Sequence, residues 1–270
     1  MINLLKRKTG SASREDLAGY ARLYGFYPVH PADFVDPAHP VFFSMRMQCQ
    51  ELYHAISLGF MGNRAMSKTY WETRLPVIQS MYLSPLYGKE LDELERPELL
   101  SYLPPFAEKN VLDLGSGIGR YTGEFAKSAK RVVSVDFAAQ MVAENRRLNA
   151  ALTNIEYIIS DAMNLDFPQN SFDLIFTNFL FMYLEDNEVA LLIDRISTWL
   201  KPNGFLFFRD SCAAVREENS NPSYFAIYRN LIEYPSFFKE NWILQKEGNI
   251  LAHEIVCADP FKCYWLYQNK

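Results

Sequence analysis

The 270-residue sequence predicts an α/β fold. Its core is expected to be a mostly parallel seven-stranded sheet, with an antiparallel C-terminal edge pair and an N-terminal helical extension. Three observations carry that expectation. From Asn110 onward, short apolar runs alternate with stretches of helical period, the pattern of buried strands joined by right-handed crossovers. A glycine-rich turn, Gly115-Ser116-Gly117-Ile118-Gly119, separates the first run from the helix after it. Acidic residues, Asp113, Asp136 and Asp161, stand at the ends of the first three runs.

The expected parallel strands are Val111–Leu114, Arg131–Val135, Ile155–Ile159, Phe172–Phe176 and Phe205–Phe208, with helices over Ile118–Ala129, Ala138–Ala150 and Asn187–Leu200. Downstream, Asn249–Cys257 and Lys262–Tyr267 read as two extended runs joined by Ala258-Asp259-Pro260, an antiparallel pair at a sheet edge. This domain is expected over residues 109–270. Residues 67–108 read as a helical lid or entry segment, with Pro97 in a first helical turn. Residues 1–66 read as an extension with no chemistry of its own. Helices are expected there from Ser13 to about Tyr24 and from Phe42 to Leu58, with four prolines between them.

Composition narrows the function. With 49% apolar residues and a net charge of −5, the chain can bury a large core but lacks the basic surface of a nucleic-acid binder. Its 4 cysteines form no C-x-x-C pair and its 4 histidines show no metal-ligand spacing, so no zinc site is expected. The bases near Met1 are not followed by the apolar stretch of a secretory signal. The apolar segment Leu174–Leu184 falls short of the roughly 20 residues of a membrane helix. A cytoplasmic protein acting on a small molecule is the expectation, without nucleic acid and without a membrane span.

The glycines of the turn, Gly115, Gly117 and Gly119, let the backbone bend sharply and approach a ligand. A dinucleotide loop of the form G-x-G-x-x-G would need glycine where this chain has Arg120. The other ligand that uses such a loop is S-adenosyl-L-methionine, and Asp113 suits the ammonium group of its methionine part. Asp136, followed by Phe137 after the second strand, suits a ribose diol and fits both ligands. Asp161 with the amide of Ala162 suits an adenine edge. Together these features resemble the S-adenosylmethionine-dependent methyltransferases of Rossmann-like fold.

A narrower resemblance follows from longer stretches. Leu174 to Leu184, Trp199-Leu200-Lys201, Phe207 to Cys212, Glu95 to Leu100 and Gly117 to Glu124 are similar to the first catalytic domain of plant and nematode phosphoethanolamine N-methyltransferases. Lys68-Thr69-Tyr70-Trp71 and Asn221-Pro222-Ser223 through Glu240 extend the likeness over roughly residues 68–270. Asp210 departs from it, standing where glutamate is usual. The plant enzymes' second domain is not found in this sequence. The resemblance implies methyl transfer to the amine of phosphoethanolamine, with the first methylation dominant. The alternatives are another small amine or aminoalkyl phosphonate as acceptor, or a cofactor-binding module without catalysis.

The same resemblance implies Tyr70 and Tyr183 at the amine end, as orienting groups and proton acceptors; for Tyr183, a plain core aromatic is the alternative. It implies Arg229 with Tyr228 and Tyr234 at the phosphate end, since guanidinium binds phosphate in a bidentate manner. Arg209 is placed at the same cleft rim, with structural pairing to an aspartate as its alternative. Asn178 is expected against the methionine part of the cofactor.

Overall fold

A computed structural model describes residues 63–82, 88–218 and 226–270. The helices expected near residues 13–24 and 42–58 lie outside them. Two helices precede the sheet: α1 (Asn63–Thr73) and α2 (Gly88–Tyr102). Then follow β1 (Asn110–Leu114), α3 (Thr122–Ala126), β2 (Arg131–Asp136), α4 (Ala139–Leu148), β3 (Ile155–Ile159), β4 (Phe172–Asn178), α5 (Asp186–Trp199) and β5 (Leu200–Ser211). The chain closes with β6 (Glu217–Glu218), β7 (Ile227–Tyr228), β8 (Trp242–Asn249), α6 (Leu251–Cys257) and β9 (Lys262–Asn269).

The main sheet has seven strands in the order β3-β2-β1-β4-β5-β9-β8. β1 to β5 run parallel, while β9 lies antiparallel between β5 and β8. The strand order reverses between β1 and β4, so a crevice opens at their carboxyl ends, where such sheets receive ligands. Strand period splits the core into two layers. Leu112, Val133, Ile175, Leu206 and Phe208 face α5, whose Val189, Leu192, Ile193 and Ile196 are buried against them. Val111, Val132, Leu174, Phe176 and Phe207 face the other way, toward α2, α3 and α6.

The antiparallel pair exists, but its members differ from the expectation. Leu251–Cys257 is a helix, and the edge partner of β9 is Trp242–Asn249. The cause is a long-range cap: the amides of Leu251 and Ala252 donate to the two carboxylate oxygens of Glu98, at 2.6 and 2.8 Å. A helix N-terminus has orphan N–H groups, and a carboxylate satisfies them and the helix dipole together. Most of β8 is exposed, so its sequence lacks the apolar run of a buried strand. Pro97 likewise lies inside α2 rather than in its first turn.

Gly119 fixes the glycine turn against α4. It has φ +80°, and a Cβ there would sit 1.9 Å from Asn145 Oδ1. Asn145 itself is buried and donates to Ser134 Oγ and Thr122 Oγ1. Gly119→Ala therefore combines left-handed strain with a clash in a satisfied polar cluster. A loss of at least 1–3 kcal/mol of stability, on the order of one strained residue, is expected in urea unfolding.

Candidate active site

A cavity occupies the crevice at the carboxyl ends of β1, β2 and β4. Asp113, Gly115, Gly117, Asp136, Phe137, Asp161, Ala162, Asn178 and Tyr183, all expected site residues, form part of its wall. Gly119 is absent from that wall and packs on Asn145 instead. Gly115 and Gly117 have φ +74° and +53°. A Cβ on Gly117 would meet only Met81 Sδ, at 3.1 Å, and otherwise open space. The turn therefore offers bare backbone to a ligand, as a cofactor cradle requires.

Asp136 is held for the same task. One oxygen accepts from the Gly117 amide at 2.8 Å and the other from the Ala138 amide at 2.9 Å. Burial raises its pKa, and these amide bonds work against the rise. Asp113 is buried at the end of β1 and accepts from Thr122 Oγ1 at 2.5 Å. Burial, joined by the charge of Asp136, pushes it up to about 7. A cationic ligand group would favour its charged form. The donor set of carboxylates, backbone amides and glycine turn thus fits a nucleoside with an ammonium-bearing arm.

Asp161 has a second engagement. Its oxygens accept from Arg64 Nη2 at 2.6 Å and Lys68 Nζ at 2.8 Å, and Arg64 Nη1 reaches Glu188 at 3.1 Å. Burial alone would raise Asp161, but Lys68, the Met163 amide and Arg64 hold it low. Arg64, Ser67, Lys68 and Trp71 put one face of α1 into the cavity wall. Arg64 falls in the stretch expected to carry no chemistry; its i, i+4 spacing to Lys68 and i, i+7 to Trp71 is the signal that finds it.

Tyr183 also lines the cavity. Trp71 meets its ring edge-on at 5.8 Å between ring centroids. Burial, with Tyr228 and Asp210 nearby, raises the Tyr183 pKa well above the ordinary phenol value. It is therefore a neutral hydroxyl at pH 7. Tyr70 is buried beside Trp71, with the Arg74 guanidinium 4.3 Å from its ring, and does not line the cavity.

The residues expected at the phosphate end are placed differently. Arg229 is fully buried and lies outside the cavity wall. Nε and Nη2 donate to Asp186 Oδ1 at 2.9 and 2.7 Å, Nη1 to the Phe181 carbonyl at 2.9 Å and Nη2 to the Leu184 carbonyl at 2.6 Å. It braces the turn that carries Tyr183, which satisfies its buried charge. Tyr234 donates to Asp210 Oδ2 at 3.0 Å, also outside the wall, and Tyr228 sits half-buried in β7.

Arg209 is not at the rim either. Fully buried within β5, it donates to Asn178 Oδ1 at 2.8 Å and to Glu95 Oε2 at 2.5 Å, with Phe179 stacked at 3.7 Å. It therefore supports Asn178 from behind. Glu95, from α2, also accepts from Tyr121 and Arg120 and contacts His253. Burial would raise Glu95, yet Arg209, His253 and Arg120 keep it ionised far below the usual carboxylate range. Burial and Arg209 push His253 down to about 4, so it is neutral.

Among the described residues no His, Cys, Asp and Glu cluster suits a metal, and no helix is long and apolar enough to cross a membrane. Asp210 gives a pH test. Burial pushes it up to about 7, against the bonds from Tyr234 and the pull of Arg229 and Arg209. Its folded pKa lies above the unfolded one, so its stabilisation is complete at low pH and is lost as pH rises through about 7. Asp210→Asn should gain stability relative to the unaltered chain between pH 5 and 8, by about 3 kcal/mol at ~1.36 kcal/mol per unit over the span from pH 5 to the pKa of about 7. Calorimetric unfolding at the two pH values checks this.

The comparisons agree with this architecture. A family model described as a methyltransferase domain matches residues 111–204. Phosphoethanolamine N-methyltransferase 1 of Triticum aestivum is 39% identical over 212 residues, 76% of this chain and 41% of its own length. The enzyme of the same name from Caenorhabditis elegans is 35% identical over 185 residues, 63% of this chain and 39% of its own. The chain thus spans about two-fifths of the length of these curated relatives. The structure of Haemonchus contortus phosphoethanolamine N-methyltransferase 1, with phosphoethanolamine and S-adenosylhomocysteine, matches 78% of this chain and 50% of its own. It does so at TM-score 0.70 and 29% identity. The N-methyltransferase NodS of Bradyrhizobium japonicum shares the fold alone, at 18% identity and TM-score 0.56. By sequence and fold the chain carries a methyltransferase domain over residues 111–204, and its curated homologues are the phosphoethanolamine N-methyltransferases.

Proposed function

We propose that this protein transfers a methyl group from S-adenosyl-L-methionine to the amine of phosphoethanolamine, a step toward phosphocholine. The observation that carries the reading is the cavity itself. Asp113, Asp136, the bare glycine backbone and Tyr183 line one cavity, on a fold matched by an enzyme solved with phosphoethanolamine and S-adenosylhomocysteine. The cofactor supplies an activated methyl group on sulfonium, so the chain's task is alignment, which is worth effective molarities of about 10⁵–10⁸ M. Asp136 takes the ribose hydroxyls, Asp161 and Ala162 the adenine edge, and Asp113 the ammonium. Asn178, its amide oxygen fixed by Arg209, borders the methionine part.

Tyr183, neutral and packed edge-on against Trp71, orients the amine lone pair as a hydrogen-bond partner. Asp210, buried and outside the cavity wall, lies close enough to change the Tyr183 titration and so helps keep that hydroxyl neutral. Helix α1 and the segment through Met81 act as the cover of the site, since Trp71 and Met81 line it and exclude water. The reading places the protein in the cytoplasm with a small-molecule partner.

One observation favours a second reading, another small amine as acceptor. The Arg229 guanidinium is committed to Asp186 and two carbonyls, so it is not open to a phosphate. Titration of the S-adenosylhomocysteine complex with phosphoethanolamine and with ethanolamine separates the two. The primary reading expects heat from phosphoethanolamine alone, whereas an equal response to both would transfer support to the second. Tyr183→Phe should lower kcat by about 10²-fold, within the range of a positioned proton-transfer group, and leave S-adenosylhomocysteine affinity unchanged.

A further inference from the structure

Arg120 stands where a dinucleotide loop would have its third glycine, and its side chain is a built part of the cavity wall. Nε donates to Asp92 Oδ1 at 2.6 Å, and Nη2 donates to Glu95 Oε1 at 3.1 Å and to the Tyr82 hydroxyl. The guanidinium also lies 4.5 Å from the Tyr82 ring centroid and 5.2 Å from that of Tyr121. Two carboxylates and two rings therefore fix its plane before any ligand arrives. Nη1 has no partner among the described residues, and Arg120 lies in the cavity wall, only partly buried, so this nitrogen stays accessible from the cavity. One edge of a rigid guanidinium is thus left for an anion in the cavity.

The location decides which anion. The other cations of the wall, Arg64 and Lys68, are bonded to Asp161 at the adenine end. Arg120 follows the glycine turn in that wall, beside the Tyr121 ring, and Asp113 and Arg120 feel each other's charge. S-adenosylmethionine carries one carboxylate, on the methionine carbon that also bears the ammonium. We propose that Arg120 binds this α-carboxylate through Nη1 while Asp113 faces the ammonium, so that the pair reads the amino-acid zwitterion of the cofactor. The inference rests on the cofactor reading given above and adds the residue that discriminates a whole cofactor from one lacking its carboxylate.

The test is calorimetric titration of the full chain and of Arg120→Gln with three probes. These are S-adenosylmethionine, decarboxylated S-adenosylmethionine and 5′-methylthioadenosine, which lacks the amino-acid arm. The unaltered protein should prefer the intact cofactor over the decarboxylated one by about 10- to 100-fold, the range of a hydrogen bond to a charged group. In Arg120→Gln that ratio should fall to near unity while methylthioadenosine affinity is kept. A preserved ratio in Arg120→Gln overturns the proposal, as does a ratio near unity in the unaltered protein. Should Arg120→Gln lose methylthioadenosine too, the unaltered protein's ratio decides alone: a large ratio supports the proposal and a ratio near unity overturns it. Failure of S-adenosylmethionine to bind the unaltered protein overturns the cofactor reading itself, and this inference with it.

Discussion

Arg209 and Glu95 meet at 2.5 Å with no exposed surface on either, and the arrangement around the cavity follows from that contact. A buried charge is tolerated only when paired and hydrogen-bonded, and removing one partner of such a pair costs about 3–5 kcal/mol. β5 therefore cannot place Arg209 in the sheet unless α2 brings Glu95 to it. Once docked, the same carboxylate collects Tyr121 and Arg120, and the same guanidinium holds Asn178. Two walls of the cavity, the end of the glycine turn and the end of β4, are thus tied to a single ion pair beneath them.

A second buried arginine organises another part of the wall. Arg229 gathers the carbonyls of Phe181 and Leu184 and the carboxylate of Asp186, at the start of α5. That turn carries Tyr183, so its position is set by a guanidinium that never touches the cavity. Asp210, between Tyr234 and the Tyr183 neighbourhood, adds a carboxyl whose burial outweighs the bonds that would keep it ionised. The site is assembled from charges held in low dielectric, where each acts more strongly than it would in water.

The parallel strands were legible in the sequence because their apolar runs are short and uninterrupted, and β3 matches the expected Ile155–Ile159 to the residue. Much of the cavity wall was legible too, since Gly115, Gly117, Asp136 and Asp161, which line it, are local features at strand ends. Long-range partners were not. Leu251–Cys257 is helical because Glu98, distant in sequence, caps it, and a reader of the chain alone sees only its β-branched residues. Arg209 and Arg229 look like ligand-binding residues for the same reason: their true partners, Glu95 and Asp186, are fixed by folding and not by spacing. Arg64 went unseen because it belongs to a helix whose apolar pattern is slight.

The partnership of Glu95 and Glu98 changes what counts as the unit of this fold. Residues 111–204 match a methyltransferase domain, yet two of the interactions that complete the sheet's ligand end reach back to α2. A piece of this chain beginning at β1 would strand Arg209 without its counterion and leave α6 uncapped. Helix α2 is therefore a transplanted requirement: any exchange of parts between this chain and a relative must carry it along with β5 and α6, or exchange none of the three.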